Sequence, residues 1–316
     1  MTHEIRLVGP ESAGDVLTVV RAAFAARPVL DPPADALGET EQSVADLLER
    51  AGGLLVLADG RPAGAVVLDP VGDAIFLRRF GVDPVARGRG IARELVRAGL
   101  TEACRRAADD GTTAPNRVVV LAREELPRTV QFWRDMGFAE TARRSPYVEM
   151  ARPLPITVSV PTAEAMRDLG ERLATQLRAG DVLVLSGELG AGKTTFTQGL
   201  GAGLGVRGEV TSPTFVIARV HPSVVDGPAL VHVDAYRLGG TAELDDLDLD
   251  MDLDDAITVV EWGTGLAEGL ADSRLEVRIV RAEASTEVDP EADPRVVEID
   301  PLGHRWLAVD LKVSAR

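Results

Sequence analysis

Apolar positions in the first half of the chain recur at helical spacing and then at strand spacing. Val16, Val19, Val20 and Phe24 share one face of a helix expected over 13–26, because residues three and four apart are neighbours on a helix. A second helix is expected over 40–50. Short apolar runs at 54–57 and 63–68 flank Asp59-Gly60-Arg61-Pro62 and predict a hairpin. Another strand is expected over 74–82, then a glycine-rich loop and a helix over 93–108. Strands at 117–122 and 147–150 follow. The expected order is helices first, then strands, then strand–loop–helix.

Ala151-Arg152-Pro153-Leu154-Pro155 breaks the pattern, since closely spaced prolines stop regular structure and favour an extended connector. Beyond it, 156–160 alternates as a strand. Met166, Leu169, Leu173 and Leu177 form a helical stripe that ends at Ala179-Gly180. Residues 181–186 read as a buried strand and 194–204 as a helix. Apolar β runs follow at 230–234, 257–261, 275–280, 296–299 and 306–311, the last two joined at Pro301-Leu302-Gly303-His304. The stretch 281–294 is acidic and proline-containing and is expected to be an expanded hairpin loop. The fold class is α/β in two domains, 1–152 and 153–316, and 316 residues suffice for two cores.

Charge changes the picture. The net charge is −16, yet residues 1–154 hold 20 basic and 22 acidic side chains while 155–316 hold 14 and 28. So acidic a second half is a poor grip for a phosphate backbone, and any service to nucleic acid is expected to pass through partner proteins. No apolar run approaches the length of a bilayer span, and the N-terminus has no signal-peptide layout. The single cysteine, Cys104, excludes an internal disulfide and fits a reducing cytoplasm.

The chemistry centres on Gly187-Glu188-Leu189-Gly190-Ala191-Gly192-Lys193-Thr194, a complete phosphate-binding loop between a strand and a helix. Its glycines let backbone N–H groups turn inward on phosphate oxygens. Leu189, Gly190, Ala191, Gly192, Lys193, Thr194 and Thr195 are the expected ATP-binding residues. Lys193 would reach the β- and γ-phosphates, and the Thr194 hydroxyl would face Mg²⁺. The chain has only two lysines, Lys193 and Lys312, so one stands here against the grain of the composition. Asp234 and Glu261 each end an apolar β run, where α/β sheets present ligands. Either carboxylate could hold Mg²⁺ or its water shell. His232 lies two before Asp234 and is expected to support the site, while Trp262 is expected to pack in the core. Tyr236 and Arg237 could contact phosphate, a partner or solvent. The acidic run 243–255 does not fit a calcium loop, since counting from Asp248 the sixth position is Leu253 rather than glycine. It is expected to be a solvated face.

A second anion site precedes the helix at 93–108. Arg87-Gly88-Arg89-Gly90-Ile91-Ala92 resembles the R/Q-x-x-G-x-G/A motif of the GNAT acetyltransferases. Phe132-Trp133-Arg134-Asp135-Met136-Gly137-Phe138 resembles that family's closing FY-x-x-x-GF helix. The resemblance covers about 3–152 and implies a mixed sheet flanked by helices, with acetyl-CoA held by Arg87 to Ala92. This chain departs from the family at Trp133, where a tyrosine general acid is common, since an indole N–H cannot supply that proton. Glu124, Glu125 and Tyr147 remain as acid–base candidates. Loss of chemistry with retention of coenzyme binding is the rival expectation.

In the second half, the phosphate loop is followed by Ser212-Pro213-Thr214-Phe215, His232-Val233-Asp234-Ala235-Tyr236-Arg237-Leu238 and Glu261-Trp262. The set, in this order, resembles TsaE, the ATPase subunit of the bacterial system that makes threonylcarbamoyladenosine in tRNA. The resemblance covers about 157–311 and implies a P-loop NTPase-like sheet. It also implies Glu261 as Mg²⁺ ligand beside Thr194, Asp234 orienting or activating the attacking water, and Thr214 sensing the γ-phosphate. The implied partners are TsaB- and TsaD-type subunits, with tRNA reached only indirectly and no membrane. A phosphate loop also suits a small-molecule kinase; the acidic segment after it lacks the arginines of a kinase lid.

Overall fold

The computed structural model describes residues 3–109, 114–213, 217–237, 255–265, 269–282 and 294–313. Thr214 and most of the acidic run, 243–254, lie outside them, as does most of the expected loop at 281–294. The chain divides into two compact units, Met1–Leu154 and Pro155–Arg316. Strand pairing carries the first unit this far: Pro153 still pairs with Arg117, and Leu154 N donates to Asn116 O at 3.0 Å.

The first unit opens on a strand, β1 (His3–Val8), where helices were expected first. Most of β1 is exposed at the sheet edge, so it has no apolar run to announce it. Helices α1 (Ala13–Ala25) and α2 (Glu41–Ala51) follow. Thr40 caps α2 by accepting from Ser43 N at 3.1 Å, while Ser43 Oγ accepts from Thr40 N at 2.9 Å. The hairpin of β2 (Gly53–Ala58) and β3 (Arg61–Val71) turns on Asp59 and Gly60 alone. Both have positive φ, 51° and 75°, as a tight hairpin turn requires. Then come β4 (Ala74–Val82), α3 (Ile91–Asp109), β5 (Arg117–Arg123), α4 (Pro127–Asp135), β6 (Ala139–Arg144) and β7 (Tyr147–Pro153). The seven-stranded sheet runs β1-β2-β3-β4-β5-β7-β6. Alternating residues divide its core: Leu55, Leu57, Ala65 and Val67 pack on α1 and α2, and Leu54, Val56, Val66 and Leu68 face α3. β4 and β5 are parallel and paired only over Ala74–Phe76. Beyond Phe76 they diverge.

In α3, Arg106 donates to Ala51 O and Leu68 O at 3.0 Å each, tying the helix to the sheet. Glu102 accepts from Arg105 and Arg106. Hydrogen bonds from Arg105, then from Arg106, hold its carboxyl down to about 2, from an ordinary 4.5.

The second unit contains β8 (Ile156–Val160), α5 (Ala163–Ala174), β9 (Val182–Ser186), α6 (Lys193–Gly203), β10 (Ala218–His221), β11 (Ala229–Asp234), β12 (Ala256–Glu261), β13 (Arg274–Arg281) and β14 (Arg295–Leu302). The sheet order is β10-β11-β12-β9-β13-β14-β8, and the central four, β11, β12, β9 and β13, are parallel. The strand expected at 306–311 is not formed. β14 continues through Leu302, Gly303 turns at φ 88°, and His304–Ala308 make a 3₁₀ turn. Trp306 is buried there as a plug at 1% exposure, which explains its apolar signal without a strand.

Helix α6 lies very close to α5. A Cβ on Gly199 would stand 2.1 Å from the Arg167 carbonyl oxygen, and one on Gly170 2.4 Å from that of Phe196. Both obstacles are backbone. Alanine normally stabilises a helix by about 1 kcal/mol over glycine. Here Gly199→Ala is expected to destabilise the second unit by about 1–3 kcal/mol in urea unfolding; a gain in stability would refute the close-approach account. A second expectation concerns pH. The contribution of Glu102 is present above its unfolded value of 4.5 and is lost as pH falls towards about 2. The urea midpoint of Glu102→Gln should therefore lie below wild type at neutral pH, with the gap narrowing at about pH 3. A gap that is unchanged there would mean the carboxylate charge contributes nothing.

Candidate functional sites

The parallel strands of the second unit end level with one another. Asp234 pairs across from Glu261, and Glu261 from Leu185. Trp262 N adds one more bond, to Leu185 O at 2.9 Å. The loop leaving β9 therefore starts beside both carboxylates. It turns through left-handed backbone at Gly187, Gly190 and Gly192, with φ of 146°, 76° and 111°. A Cβ on Gly187 would meet the Ile279 carbonyl oxygen at 2.4 Å, so glycine is obligatory there on space as well as on φ.

Lys193 is the first residue of α6 and is 5% exposed. Its Nζ donates to Gly187 O at 2.9 Å and Glu188 O at 3.0 Å, and lies 3.7 Å from the Trp262 ring centroid. Burial pushes the ammonium below its ordinary pKa, while Glu261 and Asp234 pull it back up. Trp262 is thus not a core residue. With φ at 61° the backbone doubles back at the end of β12, and the indole, half-buried, covers Lys193. The exposed Tyr236 ring leans on it with centroids 5.4 Å apart. Leu189 projects from the tip of the loop at 85% exposure. Thr195 sits behind Thr194 in the first turn of α6.

Thr194 Oγ1 donates to Glu261 Oε1 at 3.0 Å. His232 Nε2 stands 2.9 Å from the same oxygen, and a carboxylate accepts, so the ring carries its proton on Nε2. His232 is fully buried and Glu261 nearly so. Asp234, 4% exposed, accepts from Ser212 Oγ at 3.1 Å and from Tyr236 N at 3.0 Å. A hydroxyl and a carboxylate converging at the start of a helix after a phosphate loop are hard oxygen donors suited to Mg²⁺ beside phosphate. Among the described residues no group of three or more His, Cys, Asp or Glu forms a metal cluster.

Arg295, at the start of β14, is a site residue that the sequence did not announce. Its Nε donates to Ala191 O at 3.1 Å and its guanidinium reaches Gly190 O at 3.4 Å, with the residue 8% exposed. It holds the loop by its carbonyl side. It lies about a hundred positions from the loop and in no motif, so the sequence carries no signal for it.

In the first unit, Gly88 and Gly90 take φ of 78° and 81°, and α3 begins at once with Ile91 and Ala92. Arg87, Gly88, Gly90, Ala92 and Arg93 line a hollow of about 380 Å³ with Phe132. Arg89 turns towards Asp59, at 3.6 Å. A separate cavity of about 250 Å³ occupies the gap between β4 and β5, walled by Phe76–Phe80, Val120–Arg123, Arg27, Trp133 and Tyr147. Trp133 is 4% exposed, its ring centroid 4.9 Å from Phe80 and 5.1 Å from both Phe132 and Phe138. It is a core residue at this wall. Of the three acid–base candidates, Tyr147 lines the cavity. Glu125 is held by Arg123 at 2.7 Å, and Glu124 accepts from Ser145 and Arg143. Among the described residues no helix is long and apolar enough to cross a membrane.

Comparison with known proteins agrees with this division. The family model of the threonylcarbamoyl adenosine biosynthesis protein TsaE matches residues 160–288, and that of the acetyltransferase (GNAT) family matches 22–138. The tRNA threonylcarbamoyladenosine biosynthesis protein TsaE of Streptomyces coelicolor is 62% identical over 151 residues, 48% of this chain and 99% of the relative. Its counterpart from Bacillus subtilis is 40% identical over 148 residues, 45% of this chain and 84% of the relative. Among solved structures, the PaiA N-acetyltransferase of Thermoplasma acidophilum in complex with coenzyme A is 15% identical. It covers 48% of this chain and 99% of its own, with a TM-score of 0.41. The chain belongs to the TsaE family through its second half, and its first half is a GNAT acetyltransferase-family domain.

Proposed function

We propose that the second unit binds Mg·ATP at Leu189–Thr195 and hydrolyses it in support of the protein complex that transfers threonylcarbamoyl to adenosine in tRNA. The observation that carries this is the convergence of Thr194 and His232 on one oxygen of Glu261, beside Lys193. Lys193 would leave the carbonyls of Gly187 and Glu188 for the phosphoryl oxygens. Thr194 and Glu261 would hold Mg²⁺, which supplies charge neutralisation on the phosphates when bound. Asp234, which accepts from Ser212 Oγ, would orient a water for in-line attack. Thr214 would lie near the same phosphate. The protein partners would be TsaB- and TsaD-type subunits in the cytoplasm, with tRNA reached through them.

We propose in addition that the first unit binds acetyl-CoA at Arg87 to Ala92 and passes its acetyl group to an amine. The amine nitrogen would bond to the thioester carbonyl carbon and the C–S bond would break. Coenzyme A would leave as a thiolate that takes up one proton as the nitrogen loses one. Tyr147 lines the cavity between β4 and β5 and is the acid–base candidate there. Buried Trp133 favours a second reading, coenzyme binding without transfer. Release of free thiol from acetyl-CoA across a panel of amines separates the two.

For the second unit, phosphate release should rise when TsaB- and TsaD-type proteins are added and vanish in Lys193→Ala. Unchanged hydrolysis in that variant would mean the loop is not the site. Glu261→Gln should raise the Mg²⁺ concentration needed for half-maximal hydrolysis by about tenfold or more, with a smaller effect on nucleotide binding. An unaltered Mg²⁺ titration would remove Glu261 from that role. For the first unit, Arg87→Ala should weaken coenzyme A by about tenfold in a calorimetric titration, the loss of one charge-assisted phosphate contact. Undiminished affinity would move the pyrophosphate elsewhere.

A further inference from the structure

Four guanidinium groups stand in the mostly apolar wall of the cavity between β4 and β5. Arg27, Arg78, Arg79 and Arg123 all line it. Three of them each have a carboxylate: Asp69 for Arg78, Glu39 for Arg79 and Glu125 for Arg123. Arg27 has none among the described residues. It donates to the Phe80 carbonyl at 3.4 Å, and its guanidinium carbon lies 3.6 Å from the Phe24 ring centroid. Burial, together with the like charge of Arg87, lowers its pKa to about 10, so it stays charged at neutral pH. Asp35 is the carboxylate on the cavity wall, and it is exposed.

The surroundings hold Arg27 in place. Arg123 donates to Pro32 O at 2.8 Å and Asp31 O at 3.1 Å, and Arg79 is paired with Glu39. The segment that begins at Arg27 is therefore pinned to β4 and β5 at both its middle and its end. Stacking on Phe24 orients the guanidinium, one nitrogen reaches the Phe80 carbonyl, and the remaining N–H groups could take a planar anion. Arg27 lines the cavity between the strands, not the hollow of the 87–92 loop. Its anion is therefore assigned to this cavity, on the acceptor side of the thioester, with the charge of Arg87 close enough to be felt.

We propose that Arg27 receives a carboxylate of the acetyl acceptor. The substrate class is thus an amine carrying an acidic group near its nitrogen, such as an acidic amino acid or an acidic N-terminal residue, and not a polyamine. The inference rests on the acetyl-transfer reading of this unit. A cationic amine would meet Arg27, which has no carboxylate of its own among the described residues, whereas a carboxylate would meet a pre-oriented, partly desolvated donor.

The test uses the full chain loaded with coenzyme A and titrated in a calorimeter with two product stand-ins, N-acetylaspartate and N-acetylputrescine. N-acetylaspartate should bind at least about tenfold more tightly. Arg27→Gln should erase that preference and Arg27→Lys should keep part of it. Coenzyme A affinity should be the same in all three proteins, which also reports that the variants fold. Equal affinities, the reverse preference, or no binding of either compound to the loaded wild type would overturn the proposal. Loss of coenzyme affinity in Arg27→Gln would also overturn it, because the anion would then be a coenzyme phosphate. Failure of the wild type to bind coenzyme A at all is a different result: it removes the acetyl-transfer reading, and this inference with it.

Discussion

Three parallel strands that stop at the same level make the second site possible. Leu185, Glu261 and Asp234 lie side by side in one row across β9, β12 and β11. The strand that launches the phosphate loop is therefore adjacent to the strand that ends in Glu261. Slipping β12 by one residue against β9 would turn Glu261 to the opposite face and separate it from Thr194. Deep burial of β9 and β12 on both faces, by Leu183, Leu185, Ile257 and Val259 on one side and Val182, Val184 and Val260 on the other, fixes that register. The close approach of α6 to α5 then sets where the helix start stands relative to the ladder.

The first unit uses the opposite device. Its central parallel pair is held together for only the first three residues, and the gap beyond is kept open by side chains rather than filled. Arg79, in left-handed backbone at φ 55°, sits where the β3–β4 register shifts and carries the strand away from β5. One sheet thus makes a site by ending its strands together, the other by parting them midway.

Much of this was legible in the sequence because it is local. The glycines of both loops, the strand-end carboxylates and the amphipathic helices each leave a pattern within about ten residues. What the sequence did not carry is either exposed or distant. β1 and β6 are edge strands with mostly polar, half-wet faces, so no apolar alternation marks them. The 306–311 run was misleading because Trp306 is apolar for plugging the bottom of the sheet, not for pairing. Trp262 looked like a core residue because its left-handed backbone is not a property of tryptophan. Arg27 and Arg295 act through partners at the far side of a fold, and nothing near either residue in the chain distinguishes it from the other arginines.

The bonds from Lys193 to the carbonyls of Gly187 and Glu188 make the loop a partner to its own lysine. An incoming phosphate group would compete with two internal acceptors and an indole face for the same ammonium. Binding at Lys193 would therefore be an exchange of partners rather than capture by a bare charge, and the same groups would reclaim the lysine once the ligand left.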